Sequence, residues 1–131
     1  MKIRKYSPFV FVATLLVLCG GCSSAEEKIV RAGSFDACKG ATVDGMVKGF
    51  FGSPSWATIK ADDGNTYVNI KGAMTFMEKP VTGLVQFRVD KNTGRFETNA
   101  FEMNGIPQNG LMLYGLLTKL CEAGGGTLEA P

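Results

Sequence analysis

Apolar residues recur at helical spacing early in the chain. Val43, Met46, Val47, Phe50 and Phe51 stand at i, i+3, i+4, i+7 and i+8, one face of an α-helix. Thr42 suits the N-cap and Asp44 the first turn, where the helix dipole favours an acid. Gly52 and Pro54 end the helix. The period then changes to two. Residues 55–62 and 65–72 alternate around Asp63-Gly64, a strong hairpin signal. With that dipeptide as a two-residue turn, Ala61 faces Thr66, Ile59 faces Val68 and Ala57 faces Ile70 on one apolar face. Trp56, Thr58 and Lys60 then point the other way, beside Lys71, Asn69 and Tyr67.

A second hairpin runs over residues 81–90 and 95–103, turning at residues 91–94. Placing Val89 opposite Phe96 puts Gly83, Val85, Phe87, Val89, Phe96, Thr98 and Ala100 inside. The same register pairs Asp90 with Arg95 and Arg88 with Glu97, two opposite-charge pairs on the outer face. Further along, that face turns apolar, with Leu84 opposite Phe101 and Met103 nearby. Pro107 suits a first helical position. Leu113, Leu116, Leu117 and Leu120 then mark a helix over residues 111–121, capped by Gly124.

The order α-β-β-β-β-α predicts an α+β fold. Four antiparallel strands form a meander, and both helices pack on the face lined by Ile59, Val68, Ile70, Val85, Phe87 and Phe96. Residues 29–123 make a single domain, with Ile29 and Val30 in a brief edge strand. Residues 22–28 are a polar tether. Residues 124–131, opening on three glycines, are a flexible tail. Residues 72–80 connect the hairpins and are unusually apolar for a loop, with Met74, Phe76 and Met77.

Ahead of this domain the pattern is of another kind. Lys2, Arg4 and Lys5 precede an unbroken run of ten apolar or small residues, 9–18, and then Cys19-Gly20-Gly21-Cys22. A charged start, a short apolar core and small residues are the layout of a secretory signal. A bilayer-spanning helix needs roughly 20 apolar residues, twice this run.

The junction Leu18-Cys19-Gly20-Gly21-Cys22 resembles a bacterial lipobox, although Cys19 stands where an aliphatic residue is usual. The resemblance implies that residues 1–21 are a lipoprotein signal peptide. It also implies that Cys22 becomes the first mature residue and carries a diacylglycerol and an N-acyl chain, a stable membrane anchor. Ser23 resembles the outer-membrane-destined class. The expected location is therefore the bacterial cell envelope, at the outer membrane facing the periplasm. The mature part is also similar to a family of small uncharacterised bacterial lipoproteins. Thr42 to Trp56 carries its TVxxMVxGFFxSPxW stretch and Asn99 to Asn109 its NAFEMNGIPQN stretch. That likeness implies a shared fold and no particular activity.

Cleavage changes the composition. Loss of Lys2, Arg4 and Lys5 takes the 14 basic residues to 11 against 12 acidic ones, so a net charge of +2 becomes −1. The basic balance belongs to the targeting segment and does not argue for nucleic acid. With Cys19 removed and Cys22 acylated, two cysteines remain. An exported, oxidising setting predicts that Cys38 and Cys121 pair.

The chain has no histidine. That removes the commonest neutral-pH base, the Ser-His and Cys-His nucleophile pairs and the usual zinc ligands. Asp62 and Asp63 beside Gly64 do not meet the calcium-loop pattern and suit a hairpin turn. Glu102 falls at the rim of the inner face. Residues 124–126 precede no helix, so they do not form a phosphate cradle. No catalytic residue, metal or cofactor is expected, and the chain is not expected to be an enzyme.

The outer sheet face, with Trp56, Tyr67, Leu84, Phe101 and Met103, is the candidate partner surface, since aromatic and methionine side chains are enriched at interfaces. This favours a lipid-anchored accessory or assembly protein that touches another envelope protein. The alternative is a small-ligand or lipid-binding module, with a pocket between sheet and helices near Phe50, Phe51, Phe76 and Leu117. Flexible Met and Gly residues near that core motivate it.

Overall fold

The computed structural model describes residues 23–129. The signal peptide expected at residues 1–21 and the lipidation expected at Cys22 lie outside the described residues. Among the described residues the chain is α+β, with three helices, a five-stranded antiparallel sheet and a separate two-stranded sheet. Helix α1 is Ala25–Ala32, strand β1 Cys38–Lys39 and helix α2 Val43–Phe50. The main sheet follows as β2 Gly52–Lys60, β3 Thr66–Phe76, β4 Lys79–Asp90, β5 Arg95–Met103 and β6 Ile106–Pro107. Helix α3, Gly110–Ala123, and strand β7, Thr127–Leu128, are the last described elements. The main sheet runs in the order β2-β3-β4-β5-β6.

Helix α2 forms where its apolar spacing places it. Thr42 Oγ1 accepts from the Gly45 backbone N–H at 3.2 Å, and Val43, Met46 and Val47 are buried. Helix α1 replaces the expected tether and edge strand. Ser24 Oγ accepts from the Glu27 N–H at 2.9 Å, and Ser24 with Glu27 is the S-x-x-E signature of a helix start. Val30, fully buried, carries α1 into the core.

The first hairpin corrects the expected register. Its loop has three residues, Asp62, Asp63 and Gly64, closed by Ala61 N–H to Asn65 O at 3.0 Å and Gly64 N–H to Ala61 O at 3.1 Å. Gly64 supplies the left-handed residue at φ +88°, the geometry of a type I turn with a glycine bulge. Thr58 therefore lies opposite Val68, and Trp56 opposite Ile70. A slip of one residue exchanges the faces. Trp56 turns inward and Ile59 turns outward, 42% exposed.

The expected connection at residues 72–80 is mostly strand. Gly72 pairs with Gly83 and Phe76 with Lys79, leaving a two-residue turn at Met77-Glu78. A Cβ on Gly72 would stand 2.6 Å from Phe51 Cβ, and one on Gly83 3.1 Å from the Phe51 ring. The paired glycines make the hollow into which Phe51 fits.

The second hairpin keeps its expected start, with Asp90 opposite Arg95 and Arg88 ion-paired to Glu97. A bulge then opposes Gln86 with Ala100 and Phe87 with Thr98, leaving Asn99 extra. Beyond it the faces exchange. Phe101 and Met103 are buried, while Glu102 pairs with Leu84 on the outer side instead of lining the inner rim. Asn104-Gly105, at φ +52° and +80°, turns the chain into β6, a fifth strand. Asn109, not Pro107, starts α3, its Oδ1 accepting from Met112 N–H at 2.9 Å.

Cys38 and Cys121 form a disulfide, with Cα atoms 5.9 Å apart. Residues 127–129, expected in a free tail, are paired instead. Strand β7 pairs with β1, and the Glu129 N–H donates to Ala37 O at 2.9 Å.

Candidate functional site

Five residues expected to share one exposed face are divided by the sheet. Trp56 lies on the helix side, where the Arg31 guanidinium stacks 4.2 Å above its ring. Phe101 and Met103 are 2% and 8% exposed. Tyr67 and Leu84 alone remain on the outer face, and that face is polar between them. Asn69 Oδ1 accepts from Gln86 Nε2 at 2.9 Å, and Gln86 Oε1 accepts from Asn99 Nδ2 at 2.6 Å. Tyr67 OH donates to Asp63 Oδ2 at 2.9 Å, clamping the hairpin tip. Hydrogen bonding from the Asn65 backbone, and then from Tyr67, holds the Asp63 carboxyl below the usual range. The outer face thus lacks the five-residue apolar cluster expected there.

Apolar surface collects elsewhere, at the end of the sheet beyond Gly83. A groove of about 360 Å³ opens between the tip of the β3–β4 hairpin and α3. Phe50 comes from the last turn of α2, and its ring meets Phe51 edge-on at 5.1 Å. Met74 and Phe76 come from the inner face of β3. Phe101 and Met103 form the buried floor, carried inward by the bulge at Asn99. Helix α3 supplies the opposite wall with Leu111, Met112, Gly115, Leu116 and Lys119. Met77 and Leu111 stand at the rim, each 78% exposed. Ile106, opposite Met103, is 64% exposed, and Tyr114, one turn from Leu111, is 62% exposed.

This lining bears on chemistry. Lys119 is its one charged side chain, paired weakly with Glu122 at 3.8 Å across exposed surface. The thioethers and phenyl rings supply polarisable, adaptable contact area. The arrangement suits binding of an apolar group. Phe50 and Phe76, two of the four residues expected near a pocket, line it. Phe51 is buried beneath the Gly72–Gly83 hollow, and Leu117 packs into the core beside the groove. The rim residues Met77, Leu111, Gly115 and Lys119 were not expected. The sequence signals for them are a helix with more leucine and methionine than one buried face uses, and the apolar run at residues 74–77.

A wider hollow of about 1130 Å³ lies at the opposite end, between the two hairpin tips. It is shallow and polar. Lys60, Arg88, Lys91 and Arg95 are matched there by Glu26, Asp36, Asp90 and Glu97, so it selects no charge. Glu26 is 5% exposed and paired with Lys60 at 3.4 Å. Its own backbone N–H, and then Lys60, lower its carboxyl pKa against the opposing effect of burial. Nearby on the helix side, Arg31 bridges Glu27 at 2.7 Å and Asp44 at 2.6 Å, and Lys48 joins Asp44 at 3.0 Å. Burial raises the Asp44 pKa, but Lys48 and Arg31 outweigh it and leave the carboxyl below its usual range. These pairs lock α1 onto α2 and the sheet.

Among the described residues no three His, Cys, Asp or Glu side chains converge on a metal position, and no helix is long and apolar enough to cross a membrane. No protein-family model, curated protein or solved structure matches the chain.

Proposed function

We propose that this protein is a lipid-anchored envelope protein that binds an apolar ligand and is not an enzyme. The observation that carries the reading is the groove of about 360 Å³ walled by Met74, Phe76, Leu111 and Met112. Its size lies within the range of about 300–1,000 Å³ usual for small-molecule sites. The lipobox-like junction at Cys22 supports anchoring at the outer membrane, and Ser24 leads directly into α1. A binding site on a tethered domain then meets ligands at or near the membrane surface.

Native mass spectrometry of the full chain, isolated from its own membranes in nanodiscs, tests both halves. The expected protein mass starts at an acylated Cys22 and carries an additional apolar adduct. Leu111→Asp, at an exposed rim position, is expected to lose that adduct. An unacylated mass refutes the anchor. An adduct-free wild type, or an adduct kept by Leu111→Asp, refutes the groove.

A second reading is contact with another envelope protein, as an accessory or assembly factor. The exposed apolar side chains of Ile106 and Tyr114 beside the groove favour it, because such clusters mark interaction sites. In-cell cross-linking from Tyr114 is expected to yield a discrete partner on this reading.

A further inference from the structure

The groove contains two residue choices that the fold does not require. Gly115 is in the middle of α3, where glycine costs about 1 kcal/mol relative to alanine. A Cβ built there meets nothing within 4 Å, and the backbone is not left-handed. Neither packing nor conformation calls for glycine, and a larger side chain would occupy the groove. Met77 is the second. It and Glu78 have φ of +51° and +65°, a two-residue turn that favours Asn-Gly. A left-handed L-residue costs roughly 1–2 kcal/mol. The β5–β6 turn uses Asn104-Gly105 for the same geometry, whereas the turn that lines the groove departs from the favoured pair. The Met77 side chain is 78% exposed and returns little burial to the fold. Ser53, at φ +48°, is left-handed too and lies off the groove. At Gly115 and Met77, however, two such costs fall together on one apolar groove, and strain gathered at a concave site points to function.

Charge narrows the occupant. Lys119 follows Gly115 by four residues, one turn on along the same helix face. Its side chain is 70% exposed, and its contact with Glu122 is long at 3.8 Å, which leaves donors free for another partner. A cation at the mouth of an apolar groove complements an anionic head on an apolar tail. The volume of about 360 Å³ stands near the lower end of ligand sites and suits one alkyl chain better than two.

We propose that the groove holds the alkyl chain of a single long-chain fatty acid. Its carboxylate pairs with Lys119 Nζ, and its chain passes Gly115 between Met77 and Leu111 toward Phe101 and Met103. This rests on the apolar-ligand reading above and names the ligand class.

The test is photolabelling of the full chain in nanodiscs with a diazirine-bearing palmitate, the labelled peptides being mapped by mass spectrometry. Label is expected on residues 74–77 and 111–119. Unlabelled palmitate should compete about fivefold better than hexadecanol, the factor that corresponds to about 1 kcal/mol for an exposed ion pair. Lys119→Gln should erase that preference, and Gly115→Leu should abolish the label. The double variant Met77→Asn with Glu78→Gly guards against a folding artefact. It should melt higher than wild type and label several-fold less.

Equal competition by acid and alcohol, with Lys119→Gln unchanged, overturns the fatty-acid assignment and leaves the apolar-ligand reading standing. Competition by two-chain phospholipid alone overturns it too, in favour of the lipid surface. Label that lies outside the groove, or survives both Gly115→Leu and the turn variant, overturns the assignment and the groove reading together.

Discussion

Replacing both Cys38 and Cys121 by alanine removes a covalent link between residues 83 apart in sequence. The unfolded chain then regains the freedom of that loop. The chain-entropy relation gives about 4.5 kcal/mol for a loop of this length, near the top of the range seen for native disulfides. Unfolding roughly a hundred residues carries an entropy of about 0.2 kcal/mol per kelvin, so Tm should fall by about 20 °C. Both cysteines are essentially fully buried, so alanine also opens a small void. Reduced wild-type protein separates the two contributions, because it loses the bond and keeps the sulfur atoms. Urea unfolding followed by Trp56 fluorescence measures the difference. The m-value should rise, since the uncrosslinked denatured chain exposes more surface. Gly126 supplies an internal check. A Cβ there would lie 2.6 Å from Cys38 Sγ and 2.9 Å from Cys121 Sγ, so Gly126→Ala should cost more in the oxidised wild type than in the double-alanine background. A loss below about 1 kcal/mol with an unchanged m-value would refute the loop argument.

Three further outcomes follow from the register and the ion pairs. Trp56→Ala should destabilise by about 2 kcal/mol in thermal melts, because the ring packs under Arg31 on the helix side and its loss leaves a void. Ile59→Ser, on the exposed face, should stay within about 0.5 kcal/mol of wild type, and the opposite ranking would restore the two-residue turn. Asp44 and Glu26 titrate below their usual ranges when folded. Their contribution to stability is therefore complete above the unfolded carboxylate values of about 4, and is lost as pH falls through the lower folded values. Acid unfolding curves of Asp44→Asn and Glu26→Gln should be flatter than wild type below about pH 4, with the variants matching each other's sign.

Much of the fold was legible because its signals are local. The 3.6-residue spacing from Val43 to Phe51 and the Thr42 cap specify α2 within a dozen residues. The second hairpin begins where Asp90, Arg95, Arg88 and Glu97 say it should, since opposite charges and a four-residue turn agree on one register. The pairing of Cys38 with Cys121 was an inference from an oxidising compartment, and the disulfide is present in the fold. Helix α1 was missed although Ser24 and Glu27 spell a capping box. The two glutamates look like solvated polar sequence until Lys60, from strand β2, donates to Glu26 and Arg31, one turn on in the same helix, donates to Glu27.

The candidate site was harder to see, and two single-residue events explain why. A third loop residue at the first hairpin turned Trp56 inward. An unpaired Asn99 turned Phe101 and Met103 inward and made them a groove floor. Strand side chains alternate, so one extra residue reverses everything beyond it. Alternation along the sequence cannot register such an event, because both registers leave a plausible pattern. The sequence alone determined helix α2, the order of the four long strands and the cystine, each through interactions among near neighbours or through simple counting. The tertiary structure decided which face each strand buries, that the apolar run at residues 72–80 is strand, and that α3 meets the hairpin tip across a gap. Those outcomes depend on bulges and on packing between segments far apart in the chain, where the energy differences lie in contacts that no local pattern records.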